Sequence, residues 1–203
     1  ATSSTLISLG NHLRNRQLLT TCAIGFCILF SLVAMFTYLT FYLAAAPFYL
    51  STATLGSLFF VYPIGAVINP ISGKWVSKYG HRNALAIAIP VSIIGVLLTL
   101  NHSLVLIITG LAISSTAAFI SQTTASSYIG LSAQENRALA VGLYVTCYYF
   151  GGSAGATTPA LFWQLGGWTA CVLLVAAVQI IILLMAILCW SKKHFSTNKL
   201  SRE

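Results

Sequence analysis

Apolar residues run along this chain in three blocks that no charge interrupts. Gln17–Gly73, Asn83–Gln134 and Ala138–Ser191 contain no Asp, Glu, Lys or Arg over 57, 52 and 54 residues. Each block exceeds one bilayer crossing of about 20 residues and accommodates two crossings joined by a turn. The pattern predicts six helices: Leu18–Leu43, Thr54–Ile71, Asn83–Leu100, Leu104–Ile129, Ala138–Trp163 and Trp168–Trp190. Turn residues punctuate each block: Pro47, Asn101-His102-Ser103 and Gln164–Gly167. Residues 1–17 read as a polar, basic lead-in, 18–190 as an all-α six-helix membrane bundle, and 191–203 as a basic tail. The stretch Ala1–Gly10 has the composition of a linker, which points to a piece of a longer protein.

Charge changes the picture by orienting it. All ten basic residues lie between and around the apolar blocks: Arg14, Arg16, Lys74, Lys78, Arg82, Arg137, Lys192, Lys193, Lys199 and Arg202. Three helical hairpins place every one of them on one side of the membrane, the cytoplasmic side by the positive-inside rule. The expected location is the cell inner (plasma) membrane, multi-pass, with both termini cytoplasmic. Trp163, Trp168, Trp190 and Tyr42 fall near predicted helix ends, where an aromatic belt sits.

Composition narrows the functions. The chain is 58% hydrophobic and 6% charged, with mean hydropathy +0.89. A soluble domain carries roughly 25% charged residues. The lipid bilayer is therefore the expected partner, and the +8 charge is an orientation signal rather than a nucleic-acid footprint. The five cysteines are odd in number, form no CxxC pair and lie in apolar segments, so neither a disulfide framework nor a metal site is expected. The first 17 residues carry no apolar h-region and do not read as a cleavable signal peptide. Glu135 and Glu203 are the only carboxylates, and neither lies in a predicted span. That disfavours a proton relay within this segment and an intramembrane protease. No cofactor is expected.

A shift of 86 residues aligns Gly56 with Gly142, Tyr62 with Tyr148, Gly65 with Gly151 and Gly80 with Gly166. These identities relate the second predicted helix to the fifth in opposite orientation, the pattern of a 3+3 inverted repeat, which is a transporter signature.

Three groups of residues are candidates for function. The first is the loop Gly73–Arg82, in which Gly73 permits close helix approach, Gly80 forms a tight turn, and Lys78 and Arg82 hold the cytoplasmic face. A purely topogenic loop is the plainer alternative. The second is the stripe Gly151, Gly155 and Pro159, at i, i+4, i+8, which suits a hinge or gate helix or simply tight packing. The third comprises Tyr38 and Tyr42 on the first helix and Gln122 on the fourth. They lie on or beside the stripes Ser31–Met35–Tyr38–Tyr42 and Gly110–Ser114–Ala117–Ser121–Ala125. A buried polar group in lipid needs a partner, so these stripes face a substrate cavity or the bundle interior. Asn69 and Gln179 read as helix–helix contacts.

The loop resembles the cytoplasmic loop motif of the major facilitator superfamily, Gly-x-x-x-Asp-Arg/Lys-x-Gly-Arg/Lys-Arg/Lys. Gly73, Lys78, Gly80 and Arg82 match it; Ser77 stands in place of the acid and His81 in place of a basic residue. The stretches Ala125–Gly130 and Gly142–Gly152, continued to Gly167-Trp168, are similar to spans ten and eleven of bacterial drug–proton antiporters. The resemblance covers about Asn11–Trp190. It implies half of a twelve-helix fold, the C-terminal six helices, partnered by an N-terminal six-helix half that carries the proton-coupling acids. It also implies efflux of a small amphiphilic or cationic substrate by alternating access. A non-transporting membrane scaffold is the alternative.

Overall fold

The structure, a computed structural model, describes residues 15–132 and 136–190, without the side chains of residues 62–66 and 69. Most of the lead-in, Gln134, Glu135, Lys193, the tail 191–203 and the side chain of Asn69 thus lie outside the described residues. Within them the chain is helical and contains no strand. The helices are α1 (Arg16–Ala44), α2 (Thr52–Ser57), α3 (Tyr62–Tyr79), α4 (His81–Leu98), α5 (Leu104–Ser132), α6 (Arg137–Thr157) and α7 (Pro159–Cys189), with a 3-10 turn at Leu58–Val61. Among the described residues four helices, α1, α4, α5 and α7, are long and apolar enough to cross a membrane.

Side chains at the helix starts explain two boundaries. Asn15 Oδ1 accepts from the backbone N–H groups of Gln17 and Leu18 at 3.0 and 3.3 Å, satisfying donors that the first turn leaves open. Ser51 Oγ does the same for Thr54 at 3.3 Å.

The second apolar run departs from expectation. The predicted helix Thr54–Ile71 is broken at Leu58–Val61 and resumes in α3, which runs on to Tyr79. Pro63 stands in the first turn of α3, where a missing backbone N–H breaks no helical bond, so the helix restarts there. The expected loop Ser72–Arg82 is therefore helix, and Gly80 alone separates α3 from α4.

The last hairpin is hidden inside α7. Gly166 (φ −155°, ψ 21°) and Gly167 (φ 59°, ψ −143°) are non-helical and divide it. The Cys171 thiol lies 3.6 Å from the Pro159 carbonyl. Twelve residues of straight helix would span about 18 Å, so the chain reverses at the two glycines. Thr158 keeps helical angles (φ −58°, ψ −41°) and donates to Ala154 O at 2.8 Å. The α6 helix direction thus carries through Pro159, and the turn falls where Gln164–Gly167 was expected.

Two buried clusters fill the two ends of the bundle. One joins Met35, Leu39 and Leu43 of α1 to Val96, Leu111, Trp168 and Val172. The other joins Leu18 and Ile24 of α1 to Leu85, Ile129, Tyr144, Ile182 and Trp190. Each end carries a tryptophan whose ring N–H is satisfied: Trp168 donates to Thr99 O at 3.1 Å, and Trp190 to Thr21 Oγ1 at 3.1 Å. Lipid tails are as apolar as leucine, so burial alone does not drive helices together; close packing of small residues does. Gly95 and Gly110 make such a crossing between α4 and α5. A Cβ on Gly95 would come within 2.7 Å of Gly110 O and of Ser114 N.

Candidate motif turn and polar helix face

The motif turn is built on one backbone conformation. Gly80 has φ 84° and ψ 151°, and its N–H closes α3 by donating to Val76 O at 2.8 Å. Gly73 lies inside α3, and a Cβ there would meet nothing within 4 Å, so no helix packs against it at this point. Lys78 is exposed, with its ammonium 5.3 Å from the Tyr79 ring centre. Arg82 is half-buried in the first turn of α4. His81 Nε2 lies 2.9 Å from Ser127 Oγ, and its ring meets Tyr128, which in turn stacks on Trp190 at 4.2 Å. The turn is thus tied to α5 and the end of α7 by a histidine that occupies a position where the motif prefers a basic residue.

Tyr38 is buried at the α1–α6 junction. Its hydroxyl donates to Ala156 O at 3.0 Å, and its ring lies 6.1 Å from that of Trp163. Tyr42 is half-buried, stacked on Trp168 at 5.7 Å and edge-on to Phe48 at 5.6 Å. Tyr38 with Phe41 and Trp163, and Tyr42 with Phe48 and Trp168, form two ring groups in one hydrophobic cluster near the first and last hairpin turns. Gln122 is elsewhere: its Oε1 accepts from Tyr144 Oη of α6 at 2.6 Å. The ring of Tyr144 stacks with Tyr148 at 6.1 Å, and Tyr148 meets Tyr149 edge-on at 5.7 Å. The structure therefore brings Gln122 to a tyrosine ladder on α6 and leaves Tyr38 and Tyr42 apart from it.

The hydroxyl-bearing stripes turn inward. Ser31, Ser114 and Ser121 are buried. Ser31 and Ser121 return their hydrogens to carbonyls one turn back, Cys27 O and Ala117 O, each at 2.8 Å. Ser114 instead lies 3.1 Å from Ser92 Oγ, which accepts from Gln179 Nε2 at 2.9 Å. This network joins α4, α5 and α7, as a helix–helix role for Gln179 requires.

Gly151, Gly155 and Pro159 are all buried on one face of the α6 direction. A Cβ on Gly151 would collide with Phe26 O and one on Gly155 with Phe30 O, so α6 lies directly on the α1 backbone.

The opposite face of α6 was missed by the sequence reading. Thr146, Tyr149, Phe150, Ser153 and Thr157 are exposed there, Tyr149 and Phe150 each at 65%. From Ile87 to Leu97 of α4 (Ile87, Val91, Ile94, Leu97) and from Leu173 to Leu188 of α7 the exposed side chains are apolar, with the polar Asn83 and Thr169 exposed nearer the helix ends. The hydroxyls of Thr146, Ser153 and Thr157 donate one turn back, to Gly142 O, Tyr149 O and Ser153 O at 2.9, 3.3 and 3.1 Å, and with the two exposed rings they set this face apart from the apolar ones. The spacing i, i+3, i+7, i+11 of Thr146, Tyr149, Ser153 and Thr157 carried that signal.

The family model described as Major Facilitator Superfamily matches residues 24–203. An "Uncharacterized transporter" of Buchnera aphidicola subsp. Schizaphis graminum is 36% identical over 177 residues, 87% of this chain and 42% of that protein. The "Uncharacterized MFS-type transporter YybF" of Bacillus subtilis is 36% identical over 158 residues, 78% of this chain and 39% of its own length. The "Inner membrane transport protein YnfM" of Escherichia coli is 32% identical over 174 residues, 86% of this chain and 42% of that protein. The chain thus spans less than half the length of these relatives.

Proposed function

Because the chain belongs to the Major Facilitator Superfamily, we propose that it is the C-terminal six-helix half of a secondary transporter that exports small amphiphilic or cationic molecules. The reading holds the six helices as a 3+3 inverted repeat, rocking against an N-terminal six-helix half around a midplane site, with proton entry coupled in that other half. The observation that carries it is the contrast between faces. The hydroxyl and aromatic face of α6 is open, while the exposed residues of α4 from Ile87 to Leu97 and of α7 from Leu173 to Leu188 are apolar. Tyr149, beside the Tyr148–Tyr144–Gln122 ladder, offers a ring for a cation or an apolar ring system and a hydroxyl for a polar end. Tyr38 and Tyr42 belong to the site on this reading by their place on α1. Gly151, Gly155 and Pro159 make α6 the gate that moves with α1 as one body.

The test uses the full-length transporter in everted membrane vesicles under an imposed proton gradient, with several amphiphilic cations. A ring–cation contact contributes roughly 0.5–2 kcal/mol, so Tyr149→Ala and Gln122→Ala should change relative substrate preference by about three- to thirtyfold. Tyr38→Phe, which removes only the bond to Ala156, separates substrate contact from helix contact. Unchanged preference in all three variants, with lowered abundance instead, removes these residues from the site. Absence of gradient-driven uptake of every cation by the parent protein sinks the efflux reading.

Both termini are proposed to be cytoplasmic in the inner membrane. Support comes from the turns: Tyr42, beside the first turn, and Thr99, beside the second, both meet Trp168, beside the third, at one end of the bundle. Single cysteines in a cysteine-free background should react with an impermeant thiol reagent from outside at His102 and not at Lys74. The reverse pattern in intact cells would overturn the orientation.

A further inference from the structure

A cleft of about 340 Å³ opens between α3 and the α4–α5 pair. Trp75 lines it from the last turns of α3, Ile87 and Val91 from α4, and Ala112, Thr116 and Ile120 from α5. The volume lies at the lower end of the ~300–1,000 Å³ range of ligand clefts. Apart from the Thr116 hydroxyl and the Trp75 ring nitrogen, these lining side chains are apolar. Ile87 and Val91 belong to the apolar outward face of α4, exposed at 48% and 42%, so the cleft opens toward hydrocarbon rather than toward the polar face of α6.

The end of α3 beside this cleft is cationic. Val67 and Ile71, exposed at 70% and 65%, form with Trp75 and Lys78 a stripe at i, i+4, i+8, i+11. The stripe passes from aliphatic to aromatic to cationic as it nears the helix end. Trp75 and Tyr79 pack at 5.3 Å, and Lys78 sits over the Tyr79 ring. Lys74, next to Trp75, is also exposed. No carboxylate occurs among the described residues, so neither ammonium has an acidic side chain there. An aliphatic trough that ends in aromatic rings and two exposed ammonium groups matches a molecule with a hydrocarbon chain and an anionic head.

We propose that this cleft holds one acyl chain of an anionic phospholipid whose phosphate is bound by Lys74 and Lys78. The chain fills the space between α3 and α4, two helices that a single residue, Gly80, connects. The lipid acts there as a spacer that sets the angle of the motif turn.

The test is lipid retention by the purified full-length protein in native mass spectrometry, with phosphatidylglycerol and phosphatidylcholine of identical chains as probes. Phosphatidylglycerol should be retained preferentially. Lys74→Gln and Lys78→Gln should each reduce that preference by about fivefold. Ala112→Phe, which fills the cleft, should lower retention of both lipids. Ile87→Trp does the same from the exposed rim and does not depend on a change inside the bundle. Equal retention of the two lipids by the parent protein overturns the proposal, as does a preference that survives the double lysine variant. Retention undiminished by both Ala112→Phe and Ile87→Trp reduces the effect to surface attraction and also overturns it. Displacement of the lipid by millimolar inorganic phosphate alone would show a free-phosphate site in its place.

Discussion

Gly151→Ala is expected to weaken the helix bundle, whereas Gly142→Ala on the same helix is expected to leave it unchanged or strengthen it. Both substitutions add one methyl group to α6. At Gly142 the added Cβ meets nothing within 4 Å; at Gly151 it collides with the carbonyl of Phe26. The obstacle is backbone, which cannot rotate aside as a side chain can. The two helices must then separate along their contact, and Gly155, lying on Phe30 O one turn further, is pulled off with it. Overpacking of this kind costs about 1–3 kcal/mol per site. At Gly142 the helix preference for Ala over Gly contributes about 1 kcal/mol in the other direction. Thermal unfolding of the purified full-length protein, followed by loss of the monodisperse gel-filtration peak, reads both effects on one scale. Equal midpoints for Gly151→Ala and Gly142→Ala would remove the close α1–α6 crossing. Tyr38 adds a check, because its bond to Ala156 O spans the same crossing and should be lost in the destabilised variant.

The helices and turns that follow from hydrophobic periodicity were legible in the chain. The uncharged blocks mark α1, α4 and α5 to within a few residues, and Gln164–Gly167 marks the reversal at Gly166 and Gly167. Hydropathy misplaces the second helix because it averages over the residues before Pro63, while the restart there depends on one missing backbone N–H. The basic residues of Ser72–Tyr79 suggest a loop, yet a helix end at an interface carries lysines as readily as a loop does. Gln179 was recognisable as a helix contact, since an amide among aliphatic residues needs a partner. Its partner Ser92 was not recognisable, because which serine of which helix it meets depends on helix rotation. The same limit applies to the polar stripes. Periodicity identifies one face of α5 as hydroxyl-rich, and the structure turns that face inward, where Ser121 bonds its own helix. On α6 the small residues Gly151 and Gly155 drew attention to the packed face and away from Thr146, Tyr149 and Ser153 opposite.

Gly80→Val should lower transport by the full-length protein and reduce its abundance, and Gly80→Asn should do the same. The pair is informative because of the angle that Gly80 adopts. At φ 84° and ψ 151° it lies outside the left-handed helical region that Asn enters readily, as Asn136 does at φ 47° and ψ 55°. It lies in a region that is nearly restricted to glycine, where any side chain costs about 1–3 kcal/mol. Asn is therefore no remedy here, although it rescues many glycine turns. Relief of the strain requires rotation of the α3–α4 turn. Such rotation moves His81 off Ser127 and Tyr128 and breaks the tie between the turn and α5. Arg82→Ala is the electrostatic counterpart: it removes a half-buried guanidinium and leaves the backbone free of strain. The expected order of transport is parent, then Arg82→Ala, then the two Gly80 variants, measured as initial rate per amount of protein in the membrane. Wild-type rates for both Gly80 variants would show that the turn tolerates another conformation, and wild-type rates for all three would reduce the motif to an orientation signal.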